Sequence, residues 1–242
     1  MRGPWSLVIA VSAWGLAACA SVAQTQTADP TAMPPVIETA TEASLPTVTI
    51  EADTPTPAAA VAEVTLRILP EQSEVRFLID EVLAGSPKTV VGATTAVSGE
   101  ITGDFANPQE VRIGPIQVDL GTLRTDNNFR NRAIHDVILQ TGIEANRFAT
   151  FQSTALEGLP DRVTFGTSYE VELTGDLTIH GVTQSVTFVA VVTPVSETRL
   201  EGTASVTLPT ADFDVHVLRL PPQVASVGDL VTLQIDFVAE AG

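Results

Sequence analysis

Residues 171–192 constrain this chain more than any other stretch. They read Val-Glu-Leu-Thr-Gly-Asp-Leu-Thr-Ile-His-Gly-Val-Thr-Gln-Ser-Val-Thr-Phe-Val-Ala-Val-Val. In an extended backbone, Val171, Leu173, Leu177 and Ile179 fall on one face. Glu170, Glu172, Thr174, Asp176, Thr178 and His180 fall on the other. Such alternation belongs to a sheet with one wet face and one dry face. A tight turn at His180-Gly181 joins the two strands. The dry face has three candidate partners: side chains alone, a second sheet, or an apolar ligand.

The same pattern runs through residues 64–242. Val75, Phe77 and Ile79 alternate within 73–80, and Val97, Gly99, Ile101, Gly103 and Phe105 within 97–105. Further strands are expected over 111–120, with a break at Pro115, and over 148–156, 163–165, 200–208 and 231–238. About 180 residues suit one domain with a full core. Many strands separated by turns predict an all-β antiparallel barrel or sandwich. One segment departs. Over 126–140, Phe129, Ala133, Ile134, Val137 and Ile138 recur at helical spacing. Thr125 or Asp126 is placed to cap this helix and Gly142 to end it. An amphipathic helix inserted here lies over the barrel's side or across its mouth.

Glycines at 99, 103, 175 and 202 share the inward faces. They serve either barrel curvature or the close approach of a ligand. All nine phenylalanines lie in this region, beside a single tyrosine. That lining suits a lipid tail better than a polar substrate, although any barrel core needs such filling.

The residues offer little covalent chemistry. There is no Gly-x-Ser-x-Gly elbow, His-Glu-x-x-His, phosphate loop or Cys-x-x-Cys. His135, His180 and His216 lack the short spacing of a zinc site. No catalytic residue, metal or cofactor is expected. Arg124, Arg130, Arg132 and His135 form the one basic concentration. They read either as a solvated helix face with weak ion pairs or as a polar collar at the barrel entrance. With 29 acidic and 12 basic residues, a net charge of −17 argues against nucleic acid as a partner.

The N-terminus speaks to location. Arg2 precedes an apolar run from about Leu7 to Leu16, too short for a bilayer span of roughly 20 residues. It suits a signal peptide over 1–18. Leu16-Ala17-Ala18-Cys19 resembles the lipobox of bacterial lipoproteins, in which the cysteine sulfur is lipidated after cleavage. The other reading is an ordinary secretory signal with an incidental cysteine. Cys19 is the only cysteine, so a lipidated chain has no disulfide. Ala20 in place of Asp favours, by resemblance to envelope sorting rules, the outer membrane facing the periplasm. Residues 19–63 are rich in Ala, Thr and Pro without periodicity and read as a tether. Some 40 such residues reach on the order of 100 Å.

Four passages, in order, resemble the YceI-like family of polyisoprenoid-binding, lipocalin-like barrels. They are Glu71–Phe77, Val97–Phe105, Asp119–Asp126 with Arg130 and Arg132, and above all Thr174–Phe188. Departures fall at Asn128-Phe129-Arg130-Asn131, at Gly142-Ile143-Glu144, and at an opening strand that lacks the family's histidine. The resemblance implies an eight-stranded antiparallel barrel with one inserted helix, which binds a long apolar lipid without covalent chemistry. Inward candidates are Phe77, Ile79, Ile101, Phe105, Phe129, Ile134, Leu177, Ile179 and Phe188. A fully packed interaction module and a lipid-modifying enzyme are the alternatives.

Overall fold

The computed structural model describes residues 63–217, 222 and 224–242. The expected signal peptide, Cys19 and the tether up to residue 62 lie outside the described residues. Twelve strands pair antiparallel in one sheet. They are β1 (Val64–Ile68), β2 (Glu74–Leu83), β3 (Ser86–Thr94), β4 (Val97–Ser98), β5 (Glu100–Asp104), β6 (Asn107–Ile113), β7 (Ile116–Asp119), β8 (Phe148–Glu157), β9 (Tyr169–Ile179), β10 (Val182–Ser196), β11 (Arg199–Pro209) and β12 (Val224–Ala241).

These twelve pieces lie on eight runs of chain. β1 and β2 form the first run. β3, β4 and β5 form the second, and β6 and β7 the third. β8 to β12 are one run each. Each run pairs with the next. The eighth returns to the first, with β12 pairing both β1 and β2. Eight strands were expected and twelve are observed, because interruptions cut three of the eight runs into shorter pieces. At Gly114-Pro115 the break falls where proline removes a ladder donor. Among the described residues the ring of pairings closes within 64–241.

The hairpin behaves as its alternation requires. His180 (φ 53°) and Gly181 (φ 77°) both take left-handed backbone, the pairing that matches strand twist in a two-residue turn. Val171, Leu173 and Leu177 are buried. The outer face carries hydroxyl pairs at 2.8 Å, Thr174 with Thr187 and Thr178 with Thr183.

The strand expectations are wrong at one segment and silent at another. Residues 163–165 are not a strand but belong to a loop over 158–168. In this loop the Phe165 ring meets Phe105 edge-on at 5.5 Å. The segment 86–94, which carries little sequence signal, is strand β3. Pro87 is tolerated because β3 pairs on one side only, apart from a single bridge between Ala93 and Arg124.

The helical insert is also shorter than its periodicity predicts. An α-helix, α1, spans Asn128–Ala133, and a π turn follows over Ile134–Ile138. The cap is Asn127, not Thr125 or Asp126. Its side chain accepts from the N–H groups of Phe129 (2.9 Å) and Arg130 (3.2 Å). The chain reverses at Gln140 (φ 51°), not at Gly142. A second short helix, α2 (Glu144–Arg147), leads into β8.

Candidate functional site: an apolar lumen with a half-open mouth

The barrel encloses a cavity of about 1450 Å³. Drug-sized pockets run to roughly 300–1,000 Å³. This one holds about ten times the roughly 150 Å³ that accommodates one benzene. The wall is aliphatic and aromatic, and charge enters mainly near the ends. All nine inward candidates border it: Phe77, Ile79, Ile101, Phe105, Phe129, Ile134, Leu177, Ile179 and Phe188. Ile134 and Leu177 are buried. Phe77, Ile79, Ile101, Phe105, Ile179 and Phe188 are only half-buried, because the space in front of them is not filled by protein. Phe129 borders the cavity from outside its rim and is 81% exposed.

The width of the lumen follows from how its phenylalanines are stowed. A Cβ placed on Gly92 would stand 2.1 Å from Cε1 of Phe77, its cross-strand partner. One on Gly202 would stand 2.8 Å from the ring of its partner Phe237. One on Gly175 would stand 2.5 Å from Cζ of Phe151 and 2.4 Å from the Gln152 carbonyl oxygen. The far ends of three rings thus lie over glycines of the adjacent strand, along the wall and not across the lumen. This pairing of aromatic with glycine also shields the bare backbone. The space over the inward glycines is therefore taken by neighbouring side chains. At Gly99 these are Ile68 and Ile116, and at Gly103 Val111. Sequence order gave no sign of the Phe–Gly pairings, since the partners belong to different strands.

The wall has a seam. β6 pairs only with β5, and the second half of β8 pairs only with β9. The two unpaired edges diverge after Ile116–Phe151. Val111, Ile113, Leu156, Leu159 and Val163 border the cavity along this seam. The Gln109 amide latches it, donating from Nε2 to the carbonyls of Leu159 (3.1 Å) and Pro160 (3.3 Å).

The mouth lies where the helical insert meets the β2–β3 hairpin. Arg130 donates to Glu81 Oε1 at 2.8 Å and also binds Asp126. Lys88 binds the other oxygen of Asp126 at 2.7 Å. Lys88 first, with Arg130, holds the Asp126 carboxyl below the usual carboxylate range. Asp119 is lowered likewise, chiefly by Arg147, which donates to it at 2.8 Å. Arg130 is the only member of the expected basic collar that borders the cavity. Arg124 instead donates to the Leu123 carbonyl at 2.7 Å, and His135 Nε2 lies 2.9 Å from the same oxygen. Arg132 is exposed and away from the lumen. Asn131 belongs to the stretch 128–131 where the sequence departs from the family pattern. It is buried, and its Oδ1 accepts from Thr125 N and Oγ1, each at 2.8 Å.

Chemically, this arrangement suits an apolar guest. The cations bordering the lumen, Arg76, Lys88 and Arg130, are each engaged by a carboxylate. Among the described residues, no three His, Cys, Asp or Glu side chains converge as a metal site would need.

The profile of the YceI-like domain matches residues 66–239. None of the curated proteins compared matches the chain. Among solved structures, the barrel is similar to a polyisoprenoid-binding domain from Saccharophagus degradans implicated in plant cell wall breakdown. The TM-score is 0.57 at 18% identity, over 74% of this chain and 99% of that one. It is also similar to BcnA of Burkholderia cenocepacia, with a TM-score of 0.52 at 18% identity, over 71% and 98% of the two chains. At that identity the structural likeness speaks for the fold, and the profile match over most of the chain speaks for kinship: the chain belongs to the YceI-like family.

Proposed function

We propose that this protein binds a long apolar lipid, of isoprenoid type, inside its barrel and leaves it chemically unchanged. The observation that carries the reading is the apolar cavity of about 1450 Å³ bordered by half-buried phenylalanines and aliphatics. Each buried methylene contributes about 0.8 kcal/mol, so a long chain gains affinity without any charged contact. The polyisoprenoid-binding neighbour supports the class of guest. An unfilled lumen argues against a packed structural module. In the same reading, Cys19 carries lipid and the chain over 19–63 tethers the domain at the outer membrane, facing the periplasm. The lipobox-like Leu16–Cys19 and the Pro-rich stretch after it support that placement.

Organic extraction and mass spectrometry of the purified protein test the binding. A stoichiometric long-chain lipid is expected, with less in Ile79→Trp, which fills the lumen. Extracts free of lipid from protein produced in bacteria would refute it. For the anchor, Cys19→Ala is expected to release the protein from membranes into the soluble fraction. Continued membrane residence would count against lipidation.

A further inference from the structure

The apolar stripe of the insert has the spacing of a core-facing helix, yet the barrel does not cover it. Phe129 is 81% exposed and Val137 is 61% exposed, and both border the cavity. Across the mouth, Val217 is 38% exposed and borders the cavity too. A large apolar side chain held in water at the rim of an apolar lumen calls for a partner.

This presentation is built, not loose. Asn127 caps the helix, buried Asn131 ties it to Thr125, and Arg130 clamps it to Glu81. The Phe129 ring therefore stands out from a fixed base.

We propose that this side of the mouth docks onto a lipid bilayer, with Phe129 and Val137 entering the acyl region. The inference rests on the lipid-binding reading above. Two observations select a bilayer over a protein partner. The exposed apolar rim is continuous with the lumen wall, so a lipid passing between membrane and barrel never meets water. The charge is also suited. Residues 121–142 carry Arg124, Arg130 and Arg132 against Asp126 and Asp136, in a chain whose net charge is −17. This face is spared the repulsion that an acidic protein otherwise meets at an anionic surface.

The test uses residues 63–242, whose eight strand runs close on one another, sedimented with vesicles. One set is phosphatidylcholine alone, and the other also contains phosphatidylglycerol. The wild type is expected to bind both, more tightly on the anionic set. The double substitution Phe129→Ser with Val137→Ser is expected to lower partitioning at least about tenfold. Val189→Ser removes a comparably exposed side chain from β10, on the barrel's outer wall, and is expected to change partitioning less than about twofold. Wild type that stays in the supernatant with both vesicle types would overturn the docking surface. So would a double variant that pellets like wild type. Wild type that is dimeric without vesicles, and monomeric once Phe129 and Val137 are replaced, would assign the face to a second copy instead. Extraction separates this proposal from the reading beneath it. Wild type that holds long-chain lipid yet ignores vesicles keeps the lumen's function and removes the docking surface.

Discussion

The β9–β10 hairpin and the helical insert over 128–138 both carry regularly spaced apolar residues, and they end in opposite states. In the hairpin, Val171, Leu173 and Leu177 are buried. In the insert, Ile134 alone of the stripe is buried, while Phe129 and Val137 stand in water. The difference lies in what faces each stripe. A barrel strand has neighbours on both sides, held by ladder hydrogen bonds, and its inward residues meet those of the facing wall. The insert is attached at its two ends and by side-chain clamps. Its stripe faces an opening, so among the described residues Phe129 and Val137 are left uncovered.

The comparison breaks most readily at the hairpin. Leu177→Ala removes a side chain from a cluster that includes Phe151, Leu208 and Phe213. It is expected to cost about 2–5 kcal/mol in denaturant unfolding. A cost below about 1 kcal/mol would mean that the wall is as loosely packed as the insert. Gly175→Ala comes next, at roughly 1–3 kcal/mol. Its Cβ would press on the Gln152 carbonyl, which cannot swing aside, and on the Phe151 ring. Thermal unfolding equal to wild type would show that the ring does not lie over that glycine.

The insert is expected to respond to loss of its clamp. Glu81→Gln leaves the Arg130 guanidinium partly buried beside Asp126 alone, at a cost of about 1–2 kcal/mol. Faster proteolysis within 120–147 than in the barrel would locate the effect. Uniform sensitivity would argue that the insert and the wall unfold together.

Acid should reveal a smaller difference. Arg147 holds the Asp119 carboxyl below its ordinary value in the folded state. That contribution is therefore complete above the ordinary aspartate pKa of about 3.9 and is lost as pH falls below it. Asp119→Asn is expected to flatten part of the decline in melting temperature below about pH 4. An unchanged acid profile would remove Asp119 as a contributor. The smallest effect belongs to Phe129→Ala, within about 0.5 kcal/mol, since the ring is already in water. A larger loss in the same unfolding measurement would mean the stripe is covered after all.

Much of this architecture was legible in residue order. The hairpin's register follows from the turn at His180-Gly181 and from alternation, and Pro115 marks the break between β6 and β7. β3 was hidden, because Ser86-Pro87-Lys88 reads as a turn and its apolar face is thinned by Gly92. The inward candidates were legible wherever strand parity decided them. Phe129 was not, because helical spacing shows that a face exists without showing what meets it. In the basic cluster, only Arg130 reaches the lumen. Arg124 and His135 turn to the Leu123 carbonyl, a contact that depends on how the chain folds back after β7.

The sequence by itself determined which side of each strand is dry, because alternation is a property of the local backbone. It also determined the family, since Thr174–Phe188 and its three companion passages stand in order along one chain. Only the tertiary structure decided how far apart the dry faces stand. Phe77, Phe151 and Phe237 lie over Gly92, Gly175 and Gly202, stowed against the wall by residues of other strands. The lumen exists because each ring fills the space a distant glycine leaves, and that pairing is set by strand register across the barrel, not by neighbours in the chain.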